Sequence, residues 1–339
     1  MTPSRFALAC AAALLGLAAQ AQDKPVMLKL SSWVPAQHPL NPALQAWADD
    51  IKKASNGTIS ATLFPSEQLG KAFDHYDMAR DGIADAAYVN PGYQPGRFPI
   101  FAAASLPFHV ANAKGGTAAV DAWYRQYVAK EMKDVQFCFA FVHDPGSLHS
   151  ARKKVTLPGD VAGMKVRPAT STIGQMVTLL GGTNVQSSAP EARDVLERGV
   201  ADAITFPWGS LFLFGIDKVV KYHIDAPLYV TPFVWVLNKD KYASLSAAQK
   251  KVVDDHCTTE WAEKVASPWA DFEANGRTKM AALPGHEMVK LDAGQLDAWR
   301  KALAPMTEQW AEVAKKAGAD PKQVLDSLQQ NLAKYKSAL

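Results

Sequence analysis

Arg80-Asp81-Gly82-Ile83-Ala84-Asp85-Ala86-Ala87 and Glu197-Arg198-Gly199-Val200-Ala201-Asp202-Ala203-Ile204 carry Gly, Ala, Asp and Ala in the same register. Each stretch follows a helical pattern, ends it on a glycine suited to a left-handed cap, and continues as a short apolar strand. Each soon meets a proline, Pro91 and Pro207. The repetition predicts two similar α/β lobes. Ligands of open α/β sheets gather at the carboxyl ends of strands, so two such ends facing each other would make a cleft. The same pattern is also an ordinary helix-to-strand turn, and the rest of the chain has to decide.

The first residues read as an export signal. Arg5 is a thin basic start, Phe6 to Ala18 is almost wholly apolar, and Ala19-Gln20-Ala21 is a small-x-small cleavage site. Cleavage after Ala21 would leave Gln22 first and place the protein in the periplasm. Cys10 lies inside the apolar run, and Ala7-Leu8-Ala9 lacks the leucine that lipid attachment wants three residues ahead. No later segment approaches the roughly 20 apolar residues a membrane span needs, so no membrane insertion of the mature chain is expected. Losing Arg5 from 36 basic residues leaves 35 against 33 acidic ones, a balance of +2. That is no electrostatic footprint for nucleic acid. No CxxC or HExxH spacing points to a metal, and no cofactor motif is present. Cys138 sits in the apolar strand pattern Val135–Phe141 and Cys257 in a helical pattern, and the reading favours two separate buried thiols over a pair.

A mature chain near 318 residues exceeds what one hydrophobic core usually holds. The expected division is a signal peptide over 1–21, a first lobe over 22–146 and a second over 147–230. The chain then returns to the first lobe over 231–339. Asp144-Pro145-Gly146 is the first crossing between lobes, and the β-rich run Tyr229 to Leu237 the second. Ser246 opens a long helical stretch to about Leu283, kinked by Pro268.

Four local patterns then resemble one family, the periplasmic solute-binding subunits of tripartite ATP-independent periplasmic (TRAP) transporters. Phe64-Pro65-Ser66-Glu67-Gln68-Leu69-Gly70 is similar to the family's aromatic-Pro…Gln-Leu-Gly turn, Gly82-Ile83-Ala84-Asp85 to its Gly-x-x-Asp strand entry, and Leu106-Pro107-Phe108 to its Leu-Pro-Phe segment. Leu157 to Arg167 resembles the Asp-Leu-x-Gly-x-Lys-x-Arg element that places a carboxylate-binding arginine. The patterns run in order over the mature chain. The resemblance implies an α/β periplasmic-binding-protein fold of two lobes, a ligand cleft between them and a long kinked helix. It also implies capture of an organic acid by lobe closure, and delivery to membrane subunits driven by an ion gradient.

Arg167 is a carboxylate ligand on chemical grounds too. A guanidinium offers a rigid fork that lysine lacks; the alternative is a surface pair with Glu191 or Asp194. Two departures from the family set the expected specificity. Gly146-Ser147-Leu148-His149-Ser150-Ala151 lacks the second arginine many members carry there, and Thr205-Phe206-Pro207-Trp208 replaces a polar Asn-Pro with aromatic surface. The expected ligand is therefore an aromatic or apolar monocarboxylate, such as a 2-oxo or 2-hydroxy acid. Phe206 and Trp208 offer ring faces unless they pack the lobe core. Asn90 and Tyr93 follow the first repeated strand, Trp33 and His38 follow the first strand of all, and Asn90, His149 or Thr170 are candidates to hold an α-oxygen. Trp235 is either core or pocket wall, and Arg97 and Arg152 would add charge if folding brought them in. A periplasmic enzyme or a ligand-sensing subunit would use the same cleft. The chain has no Gly-x-Ser-x-Gly elbow, and the adjacent His149 and Ser150 would face opposite sides of a strand.

Overall fold

The computed structural model describes residues 23–339. The signal segment, Cys10 and the cleavage point after Ala21 lie outside the described residues. Eleven strands are present among them: β1 (Val26–Ser31), β2 (Ile59–Phe64), β3 (Ala86–Val89), β4 (Val135–Val142), β5 (Ser147–Ser150), β6 (Lys165–Arg167), β7 (Thr183–Asn184), β8 (Ala203–Phe206), β9 (Tyr222–Ile224), β10 (Pro232–Asn238) and β11 (Glu287–Val289). They form two sheets, one ordered β2-β1-β3-β10-β4 and the other β11-β9-β5-β8-β6-β7, each the base of a lobe.

The two repeated stretches build the same device in each sheet. Gly82 and Gly199 both take positive φ, +74° and +67°, which glycine adopts without the Cβ penalty. Asp85 then accepts the backbone N–H of Lys29 at 2.8 Å while its own N–H donates to the Lys29 carbonyl at 2.9 Å. Asp202 repeats this with Lys165 at 2.9 and 2.7 Å. Both lysine ammonium groups reach back to the glycine turn, Lys29 to the Ile83 carbonyl and Lys165 to that of Gly199. The strands entered this way pair in parallel in matching register, Ser31 beside Ala87 and Arg167 beside Ile204.

The chain crosses between sheets at Asp144–Gly146 and at Tyr229–Thr231, and the crossings touch. Gly146 N–H donates to the Tyr229 carbonyl at 2.9 Å, and Leu228 N–H to that of Gly146 at 3.1 Å. A Cβ on Gly146 would press on the Phe206 carbonyl and the Tyr229 ring, so the crossing requires glycine. His143 staples the two further, donating from Nδ1 to the Asp144 carbonyl and accepting the Thr231 N–H on Nε2. Burial lowers its pKa to about 4, so it is neutral. Strand β10 then runs inside the first sheet between β3 and the edge strand β4, buried along its whole length, as its unbroken apolar pattern requires.

Three features differ from the sequence reading. The helical stretch after Ser246 is broken: helices Ala247–Asp255 and Thr259–Ala281 are separated by a turn holding Cys257, and Thr258 caps the second by accepting the Trp261 N–H. Cys257 is therefore in a turn rather than a helix, and it is not a separate thiol. It forms a disulfide with Cys138 of β4, the Cα atoms 4.3 Å apart. Spacing of 119 residues carried no trace of this, because only the packing of the turn on β4 makes them neighbours. After residue 231 the chain also serves both sheets, since β11 pairs with β9 of the second.

The long helix Thr259–Ala281 contains Pro268 and contacts both lobes. Its first half packs on the first lobe, where Thr259 donates to Asp121 at 2.5 Å. Its second half holds the helix Trp208–Leu213 of the second lobe. Glu273 accepts the N–H groups of Gly209 and Ser210, the Ser210 hydroxyl, and Trp269 Nε1–H at 2.6 Å. The helices meet glycine to glycine at Gly209 and Gly276, where a Cβ on Gly276 would collide with the Gly209 backbone. Burial pushes the Glu273 carboxyl up to about 7 against these four donors. No described helix is long and apolar enough to cross a membrane.

Candidate ligand-binding site

Arg167 is the last residue of β6, and Pro168 follows it, so strand end and fixed backbone together aim its side chain between the lobes. It is 1% exposed, and no carboxylate lies within ion-pair distance among the described residues. Asp194 pairs with Arg198 instead, and Glu191 is occupied by the Ser188 N–H and hydroxyl. Arg167 donates from Nε to the Ser187 carbonyl at 3.0 Å and from Nη2 to the Tyr93 hydroxyl at 3.2 Å. Its guanidinium carbon stands 5.6 Å from the centre of the Phe206 ring. A guanidinium cannot shed its proton. Burying it without an anion is costly, so an anion placed beside it would be stabilised.

Tyr93 comes from the opposite lobe. Its oxygen accepts both Arg167 Nη2–H and the Ala189 N–H at 2.9 Å, so its own proton is free to donate. Asn90 also spans the gap: Nδ2 donates to the Ala169 carbonyl at 3.4 Å, while Oδ1 accepts Gly92 N–H at 3.0 Å. These contacts draw the lobes together over a small cavity between them.

Of the sequence candidates, the cavity wall holds Trp33, His38, Asn90, Tyr93, Arg167 and Phe206. Three others do not line it. Thr170 caps the helix Ser171–Leu179, its Oγ1 accepting the Ile173 N–H at 3.2 Å. Trp208 packs edge-on against His149 in the second lobe, ring centres 4.8 Å apart. His149 is wholly buried, donating from Nε2 to the Phe206 carbonyl and facing His223 at 2.9 Å. Its place along the strand explains it: His149 stands opposite Ile204, two residues back from the strand end that carries Phe206, and is covered there by Trp208. Trp235 stands edge-on to Trp47, 5.6 Å away, and lines no part of the cavity. Neither other arginine adds charge. Arg97 is held by Asp77 and Asp134, and Arg152 by Asp202 on the surface.

The sequence reading missed Phe233, Trp269, His143, Phe214 and Ser210 of the wall. Phe233 and Trp269 complete an aromatic ring around the cavity, their centres 5.4 Å apart, with Trp33 6.3 Å from Phe233 and His38 edge-on to Trp269 at 4.8 Å. Phe233 lay within the stretch read as a crossing. Trp269 comes from the long helix, and its only sequence signal was Pro268 beside it. Arg167 is the one Arg, Lys, Asp or Glu in the wall. His38 and His143 are neutral, because burial lowers them to about 3 and about 4. The cavity thus carries a single formal positive charge inside an aromatic shell.

The family model of bacterial extracellular solute-binding protein, family 7, matches residues 30–314. Three solved structures share the fold with a TM-score of 0.86 each. One is a TRAP solute-binding protein of a marine metagenome, specific for aromatic acid ligands and crystallised with 3-hydroxybenzoate; it is 31% identical, over 92% of this chain and 99% of that one. Another, from Bordetella bronchiseptica with (R)- and (S)-mandelate bound, is 30% identical over 91% and 99%. The third, from Rhodoferax ferrireducens with copurified benzoate, is 27% identical over 92% and 98%.

Proposed function

The chain belongs to the bacterial extracellular solute-binding proteins of family 7, the periplasmic binding proteins of TRAP transport, and from that premise we propose that it captures an aromatic monocarboxylate and delivers it to the membrane subunits of an ion-gradient-driven transporter. The observation that carries this is Arg167, a buried cation with no anion beside it among the described residues, set in an aromatic cavity whose described wall holds no other charge. A carboxylate docking on the guanidinium accepts a fork of N–H groups and adds the Tyr93 hydroxyl as a further donor. A second carboxylate would be buried against rings without a counter-ion, at a cost its own hydrogen bonds could not offset. Trp33, Phe206, Phe233 and Trp269 offer ring faces and edges suited to a phenyl group. The benzoate-, hydroxybenzoate- and mandelate-bound relatives support the same ligand class.

Capture is by lobe closure. The ligand joins Arg167 of one lobe to Tyr93 of the other, and the crossings at Asp144–Gly146 and Tyr229–Thr231 are the hinge. In this reading the segment ending at Ala21 is removed on export, and the mature protein works in the periplasm.

A thermal-shift screen tests the ligand class, since a ligand that binds only the native state raises its midpoint by mass action. Benzoate, mandelate and benzoylformate should shift it, and succinate and sugar acids should not. A shift by succinate with none by any aromatic acid would refute the proposal. Solution scattering tests closure: the radius of gyration should fall when the ligand saturates.

A further inference from the structure

Two nitrogen donors in the cavity wall have no partner among the described residues. His38 accepts the Leu40 N–H on Nδ1 at 3.1 Å, and a neutral imidazole then carries its proton on Nε2. That Nε2–H is buried and bonded to nothing, and so is Nε1–H of Trp33. Both residues come from the loop and helix start that follow β1, and both line the same cavity as Arg167. An indole or imidazole N–H rarely goes unpaired when buried, because it has given up water for nothing. Three acceptor atoms of the cavity wall itself are engaged within the protein. Asn90 Oδ1 takes Gly92 N–H, His38 Nδ1 takes Leu40 N–H, and His143 Nε2 takes Thr231 N–H.

We propose that Trp33 Nε1–H and His38 Nε2–H form a second recognition pole that takes an uncharged acceptor oxygen of the ligand, distinct from the carboxylate on Arg167. This rests on the proposed function and narrows it. The preferred ligand is an aromatic monocarboxylate carrying a carbonyl or hydroxyl oxygen, on the carbon next to the carboxylate or on the ring. A carbonyl oxygen has two lone pairs and no proton, so it can serve both donors at once. A hydroxyl can accept from both but must still place its own hydrogen. An ammonium group in the same place would set N–H against N–H beside the Arg167 charge, and the site excludes it.

Calorimetry with matched acids tests this. The α-series is phenylacetate, mandelate, benzoylformate and phenylglycine; the ring series is benzoate and 3-hydroxybenzoate. In the wild type at least one oxygen-bearing acid should bind roughly 10-fold or more tighter than its parent, the worth of one or two hydrogen bonds, and phenylglycine should be weakest. Trp33→Phe keeps an aromatic face while losing the five-membered ring with its N–H, and His38→Asn keeps an acceptor for Leu40 N–H while losing the reach of Nε2. Each variant should cost the oxygen-bearing acid roughly 3- to 10-fold more affinity than it costs the parent acid. The parent acid reports that the variant is folded. Parent and oxygen-bearing acids of equal affinity in both series of the wild type would overturn the second pole and leave the aromatic-acid reading standing. So would variants that keep the wild-type ratio. If no aromatic acid binds at all, the proposed function itself fails.

Discussion

Replacing Arg167 by lysine keeps the charge and removes the fork. Arg167 spends two of its five N–H bonds on Ser187 and Tyr93, which leaves three for a ligand from a rigid plane. A lysine ammonium has three in all, on a flexible stem, and would have to abandon either the protein acceptors or the carboxylate. Truncating one side of a buried charge pair costs roughly 2–5 kcal/mol. Arg167→Lys should fall at the lower end, about 30-fold in Kd, and Arg167→Met at the upper end, on the order of 10³-fold or more. The ligand-free protein should behave differently. There the arginine is a buried cation with no counter-ion, so Arg167→Met should leave the thermal midpoint unchanged or raise it. Calorimetry on the tightest aromatic acid, together with thermal unfolding of the ligand-free variants, reads both effects. An affinity for Arg167→Lys within threefold of wild type would refute the carboxylate role. A midpoint collapse in ligand-free Arg167→Met would show instead that the arginine is there to hold the second lobe together.

Glu273 sits near 7 because burial outweighs its four donors. A carboxyl raised in the folded state binds its proton more tightly there, so its contribution to stability is greatest below pH 4.5 and is lost as pH rises toward 7. The loss is roughly 3 kcal/mol, and the difference between Glu273→Gln and wild type, followed by unfolding across that window, should show it. A difference independent of pH would count against it. Removing the Cys138–Cys257 bond by Cys138→Ala with Cys257→Ala frees a loop of 119 residues, which should cost up to about 5 kcal/mol in denaturant unfolding with affinity preserved. Gly276→Ala drives a methyl into the Gly209 backbone; an overpacking cost of roughly 1–3 kcal/mol is expected, together with weaker binding, because Ser210 and Trp269 shift with the helix they anchor.

What the sequence made legible was local. The glycine-capped turns, the strand that ends on Arg167 and the break at Pro168 each depend on a few neighbouring residues, and a chain written that way announces its strand ends. Trp33, His38, Asn90, Tyr93 and Phe206 were legible because each stands at the end of a strand or in the residues just past one. His149, Trp208 and Thr170 occupy comparable places in the chain and lie elsewhere in the fold, because a position two residues from a strand end or in the first turn of a helix can belong to the core as easily as to a cleft. Phe233 and Trp269 were not found because their place is set by how β10 and the long helix pack against the first lobe. The disulfide was illegible for the same reason. Trp33 and His38 could be named as polar candidates, but that their N–H groups lack partners is a fact about the surroundings.

The paired Lys–Gly–Asp turns separate what the protein keeps from what it can change. Lys29 with Gly82 and Asp85, and Lys165 with Gly199 and Asp202, spend all their bonds inside their own lobe. Equivalent register positions just beyond them, Ser31 in one lobe and Arg167 in the other, carry unlike chemistry on the same frame. A scaffold written twice lets one copy acquire a charge while the other stays neutral, with neither lobe's folding code altered. Selection can therefore re-aim such a receptor at a new solute by editing the last residue of a strand and the few beyond it. The asymmetry of recognition is carried by a pair of nearly symmetric supports.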